Sequence, residues 1–77
     1  MIKTAQQYKE FVAQLRDDLM SLSESIPQKD KREIMLKAAV ELGVSFMTVS
    51  NYLSGLGTSP ETSLLIKEKI SELLQSN

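Results

Sequence analysis

Apolar and polar positions alternate along the chain with the period of α-helices. Tyr8, Phe11, Val12, Leu15, Leu19 and Leu22 recur at spacings of three and four, with Lys9, Glu10, Arg16, Asp17 and Asp18 mostly between them. Such a stripe predicts an amphipathic helix, here over about residues 4–23. Thr4 followed by Gln7 fits a capping box. The pattern breaks in SESIPQKD, where Pro27 disfavours helical geometry at Ile26. Ser25 with Pro27, or Asp30 with Glu33, offers the next helix start, and the start is placed between Gln28 and Lys31. A second helix follows over about 29–42, with Ile34, Ala38 and Leu42 along one face and Met35 and Ala39 beside them. Gly43 ends it, because a left-handed residue there costs glycine little.

Val44 reads as a buried turn residue. Ser45 is an N-cap for a third helix over about 46–54, with Val49, Tyr52 and Leu53 inward and Phe46, Met47, Ser50, Asn51 and Ser54 outward. Gly55 and Gly57 stop it. Ser59, Pro60 and Glu61 open a last helix over about 60–75, whose apolar face is Leu65, Ile66, Ile70, Leu73 and Leu74. That helix is expected to fray at Gln75-Ser76-Asn77. The expected fold is therefore all-α, a small four-helix domain spanning residues 1–77.

Composition narrows what such a domain does. With no histidine or cysteine there is no imidazole base, thiolate nucleophile, disulfide or nitrogen/sulfur metal site. Asp17 and Asp18 are adjacent and point to different parts of the helix surface, so they make no dyad. Gly55-Leu56-Gly57 lacks the spacing of a phosphate loop. No catalytic residue, metal or cofactor is expected, and the chain is not expected to be an enzyme. No apolar run approaches the roughly 18 residues of a membrane span, and MIKTAQQYKEF carries no signal-peptide core. A soluble intracellular protein without membrane contact is expected.

The run from Met35 to Ser54, MLKAAVELGVSFMTVSNYLS, carries a known pattern. Ala39 allows close crossing of two helices, Gly43 allows the turn, Leu42 and Val44 flank it, and Val49 and Tyr52 anchor the second helix. This stretch resembles the helix-turn-helix of phage repressor and Cro-type domains. GVSFMTVSNYLSG is also similar to the headpiece of the lactose-repressor family. The likeness is carried by about 20 residues, 35–55, is weak over the last helix and does not reach Met1–Asp30.

The resemblance implies a sequence-specific, DNA-binding transcriptional regulator of small phage or bacterial type, cytoplasmic and nucleoid-associated. Its recognition helix, 46–54, would lie in the major groove of double-stranded DNA. Carried over, Phe46, Met47, Ser50 and Asn51 face base edges, while Ser45, Thr48 and Ser54 sit near phosphate. Asn51 suits adenine, and Phe46 and Met47 suit thymine methyls. Lys29, Lys31, Arg32 and Lys37 form the local basic excess and are the expected phosphate partners. A homodimer is expected by the logic of paired half-sites, and part of the first helix's apolar stripe is a candidate seam.

Charge complicates this picture. The net charge is −1, and residues 43–60 hold no Lys, Arg, Asp or Glu. Arginine-to-guanine contact from the third helix is therefore ruled out. Two alternatives stay open beside DNA binding. The uncharged 46–54 face is, as the first alternative, a protein-protein interaction surface, that of an adaptor or antirepressor; in the second the domain is architectural with no partner there. The interleaving of Lys29, Lys31 and Arg32 with Asp30 and Glu33 is also what a solvated, locally paired face looks like. Phe46 has a second reading too, tucked back against the core.

Overall fold

The computed structural model describes residues 4–75 and consists of four α-helices: α1 (Ala5–Ser25), α2 (Gln28–Leu42), α3 (Phe46–Leu53) and α4 (Pro60–Gln75). No strand occurs among the described residues. The fraying expected at Ser76 and Asn77 lies outside them. Both α3 and α4 pack against α1 and α2. Leu19, Ile26, Ile34, Met35, Ala38, Ala39, Val49, Leu53, Ile66 and Ile70 form one contiguous core. None of the described helices is long and apolar enough to cross a membrane.

Local chemistry sets most of the helix ends. Thr4 Oγ1 accepts a hydrogen bond from the Gln7 amide at 3.0 Å, capping α1. The far end of α1 lies two residues beyond the expected boundary. There Ser25 Oγ donates to the Leu22 carbonyl at 2.7 Å, and Ile26 turns extended, its amide bonded to the Ser23 carbonyl. Ser25 thus closes α1 and does not open α2. The second candidate start also fails, because Asp30 lies inside the first turn of α2, its amide bonded to the Pro27 carbonyl at 2.9 Å. Pro27 holds the cap position with no side-chain hydrogen bond. Ile26 itself drops into the core between the two helices.

Helix α2 ends at Gly43, which has φ +71°. The amides of Gly43 and Val44 return to the carbonyls of Val40 and Ala39 at 3.3 and 3.0 Å, the paired bonds of a Schellman ending. Helix α3 ends in the same way one residue earlier than expected, with Gly55 at φ +83° and the Leu56 amide on the Asn51 carbonyl at 2.9 Å. Ser59 Oγ accepts from the Thr62 amide at 3.3 Å and so caps α4.

Two apolar stripes are narrower than their periodicity implies. On α1 only Leu15 and Leu19 are buried, and Tyr8 is 46% exposed. Twenty-one residues make a helix of about 31 Å, longer than the rest of the domain can cover. On α4 the buried line is Ser63, Ile66 and Ile70, and Leu65 stands 53% exposed. Leu65 and Ile66 point about 100° apart on a helix, so a core contact this narrow takes one and leaves the other.

Candidate functional site

Helices α2 and α3 pack against each other, and their buried residues belong to one core. Ala38 and Ala39 are buried on α2, and Val49 and Leu53 are buried on α3. Small side chains on one helix let the branched ones of the other seat against it. Val44, in the turn, packs on the same core. Ser45 Oγ accepts from the Thr48 amide at 3.0 Å and shares a 2.9 Å hydrogen bond with the Thr48 hydroxyl. Ser45 and Thr48 are thus engaged in holding the start of α3.

Tyr52 fixes the other end. Its hydroxyl accepts from the Ser59 amide at 3.0 Å, and its ring lies against Gly57, where a Cβ would collide with it. This contact ties α3 to the loop before α4. The sequence marks Tyr52 as a core residue, but nothing in the spacing signals its hydrogen bond.

The outward face of α3 divides. Asn51 and Ser54 are exposed, Ser50 is half-buried and Met47 is 64% exposed. The Asn51 side chain makes no hydrogen bond within the described residues, and its carbonyl alone serves the helix end. Phe46 differs from these. It is half-buried, packs on the core, and carries the Arg32 guanidinium over its ring at 5.7 Å from the centroid. Of the four residues expected to face bases, Met47, Ser50 and Asn51 share an accessible face, while Phe46 is partly spent on the fold.

The cations sort by helix. Lys67 of α4 donates to Asp18 at 2.9 Å, and Lys69 pairs with Glu41 at 3.0 Å and with Glu72 at 3.5 Å. The hydrogen bond from Lys67, then that from Gln14, holds the Asp18 carboxyl below its usual pKa of 3.8. The hydrogen bond to Glu41 raises Lys69 above its usual 10.5. Lys37 meets Glu33 at 3.4 Å in an exposed pair of little energetic weight. Lys29, Lys31 and Arg32 make no ion pair among the described residues. The first two turns of α2 therefore hold three unpaired cations against one unpaired carboxylate, Asp30.

Two further surfaces complete the inventory. Val40 is 78% exposed and Leu36 is partly exposed on the same α2 stripe. An open groove of about 260 Å³ runs along α1, lined by Tyr8, Lys9, Val12, Ala13 and Arg16, all outside the α2–α3 segment. No cluster of three or more carboxylates that could hold a metal occurs among the described residues. The chain is a small four-helix all-α domain. Compared with protein-family models, with curated proteins and with solved structures, it finds no match.

Proposed function

We propose that α2 and α3 form a helix-turn-helix and that the domain is a non-catalytic, sequence-specific DNA-binding regulator of the repressor/Cro kind. In this reading α3 enters the major groove and the domain works in the cytoplasm on the nucleoid. The observation that carries it is the combination at one segment: a glycine-closed turn, a capped short helix with a free amide side chain at Asn51, and unpaired Lys29, Lys31 and Arg32 on the adjoining helix. Asn51, Ser50 and Met47 supply amide, hydroxyl and methyl-packing contacts suited to A·T pairs. Lys29, Lys31 and Arg32 supply the phosphate contacts that an uncharged recognition helix lacks. Lys37, Ser45, Thr48 and Ser54 border the same surface and add positioning contacts. A two-fold dimer on paired half-sites follows from the small footprint of one helix.

Selection of bound duplexes from a random DNA pool tests this directly. Enrichment of an A·T-containing site, with affinity falling steeply as salt rises, is the expected result. A pool that does not enrich, or binding indifferent to salt, would overturn it.

A second reading has its own observation. Val40, Leu36 and Met47 leave exposed apolar area on the α2–α3 segment, which suits a protein partner in an adaptor or antirepressor role. Charged substitution at Val40 separates the two readings. It leaves DNA enrichment unchanged if α3 reads DNA, and abolishes partner binding if this stripe is an interface.

A further inference from the structure

Arg32 and Phe46 belong to different helices, yet the guanidinium of one lies over the ring of the other at 5.7 Å from the centroid. Phe46 is the first residue of α3, and its packing on the core fixes the ring. Arg32 is exposed and ion-paired to nothing among the described residues, although Asp30 and Glu33 lie close to it in sequence. Glu33 is engaged with Lys37 instead. An unanchored arginine samples many rotamers, and stacking on a fixed ring removes part of that freedom. A stacked guanidinium uses its face and keeps its five N–H donors at the edge. None of those donors is hydrogen-bonded within the described residues. A cation with free donors is therefore held beside the start of a helix that has no charge of its own.

We infer that Arg32, stacked on Phe46, is the phosphate anchor that sets the register of α3 on DNA, and that Phe46 is its positioning residue. This rests on the DNA-binding reading and reassigns Phe46 within it. The fork of a guanidinium matches phosphate oxygens in a bidentate way. Lys29 and Lys31, also unpaired and on the same turns of α2, favour a polyanion over a single carboxylate. An uncharged helix is oriented in this way by charge that comes across from α2 on an aromatic shelf that α3 provides.

The test is a set of titrations of the full chain with a pool-selected duplex and its scrambled counterpart, from about 50 to 200 mM salt. Arg32→Ala is expected to lower the slope of log affinity against log salt by about 0.9, the loss of one phosphate contact. It should weaken both duplexes alike. Phe46→Leu keeps every charge and is expected to cost about two- to fivefold, the range of an exposed cation–π contact. The double variant should bind no more weakly than Arg32→Ala alone. A neutral methylphosphonate scanned along the duplex should weaken wild type at one position where Arg32→Ala is indifferent.

An unchanged salt slope in Arg32→Ala overturns the inference and leaves DNA binding standing. So do independent, multiplying effects of the two single changes, or a loss confined to the selected duplex. Absence of wild-type binding to either duplex overturns both readings. Arg32 is exposed, so its variants keep the fold. If Phe46→Leu fails to fold, Arg32→Lys replaces it: charge is kept and stacking weakened, and the slope should hold while affinity drops.

Discussion

The three glycines make different demands, and replacing each with alanine separates backbone strain from steric collision. At Gly43 an added Cβ meets nothing within 4 Å, so the whole penalty is the left-handed backbone at φ +71°. That strain is about 1–2 kcal/mol for an L-residue, partly offset by about 0.4–1 kcal/mol from the stiffer unfolded chain of alanine. A net loss of about 1 kcal/mol is expected, or about 4–8 °C in Tm for a domain this small. Gly55 carries the same strain at φ +83°, and its Cβ would also sit 3.0 Å from Met20 Sδ and 3.3 Å from Arg16 Cγ. Those are flexible side chains able to yield, so the expected loss is about 1–2 kcal/mol. At Gly57 the Cβ would run into the Tyr52 ring. The ring must leave, and with it the hydrogen bond to the Ser59 amide, for a combined loss of about 2–3 kcal/mol. Urea unfolding followed by far-UV circular dichroism reads all three. The expected order of cost is Gly43→Ala, then Gly55→Ala, then Gly57→Ala, with Gly43→Asn milder than Gly43→Ala because asparagine tolerates this conformation. A Gly43→Ala protein as stable as wild type, or one as damaged as Gly57→Ala, would refute the assignment of strain and collision.

Three other perturbations probe separate parts of the molecule. Tyr52→Phe keeps the ring on Gly57 and removes only the acceptor for Ser59, so it should cost about 1 kcal/mol, with faster hydrogen exchange at the Ser59 amide by NMR. Asp18→Asn tests the α1–α4 link. A carboxyl pKa held below 3.8 stabilises the fold above that pH, and this stability fades as pH falls through the lowered value. The Tm gap between wild type and Asp18→Asn should thus be widest near neutrality and close in acid. Asn51→Ala should weaken binding to a selected DNA site by about 1–3 kcal/mol while its thermal melt stays within about 2–4 °C of wild type, the span that about 0.5 kcal/mol at an exposed site allows.

Caps and turns were legible in the sequence because their chemistry is local. Thr4, Gly43, Ser45 and Ser59 act on backbone groups within four residues, and the structure has each of them in that role. Burial was less legible. Periodicity identifies which face of a helix is apolar but not how much of its length a neighbour covers, hence exposed Tyr8 and Leu65. Ile26 was hidden for the opposite reason: a lone apolar residue in an extended link has no period, yet it is buried. The Arg32–Phe46 stack, the Tyr52–Ser59 hydrogen bond and the Lys67–Asp18 and Lys69–Glu41 pairs join residues distant in the chain or in the helix repeat. Only the packing of the helices brings those partners together.

The same distinction bears on charge. A net charge of −1 argues against a polyanion partner only if the charges are mixed over the surface. Here they are partitioned. Lys67 and Lys69, the two cations of α4, are spent on Asp18, Glu41 and Glu72. On α1 and α4, Glu10, Asp17, Glu24, Glu61 and Glu68 form no ion pair among the described residues, and they outnumber the unpaired Lys9 and Arg16 of α1. On α2, Glu33 and Glu41 are occupied by Lys37 and Lys69, which leaves Lys29, Lys31 and Arg32 facing Asp30 alone. Pairing thus removes acid from the α2–α3 segment and basic charge from α4. Within a Debye length of about 8 Å at physiological salt, an approaching phosphate responds to the local excess on α2 and not to the chain's total. If that partition matters, reversing it should matter more than changing the total. Lys37→Ala, which frees Glu33 one residue from Arg32 and one helical turn from Lys29, should weaken DNA binding, whereas Lys67→Ala, with the same change in net charge, should not. Equal effects of the two on a low-salt DNA titration would show that net charge, and not its placement, controls the approach.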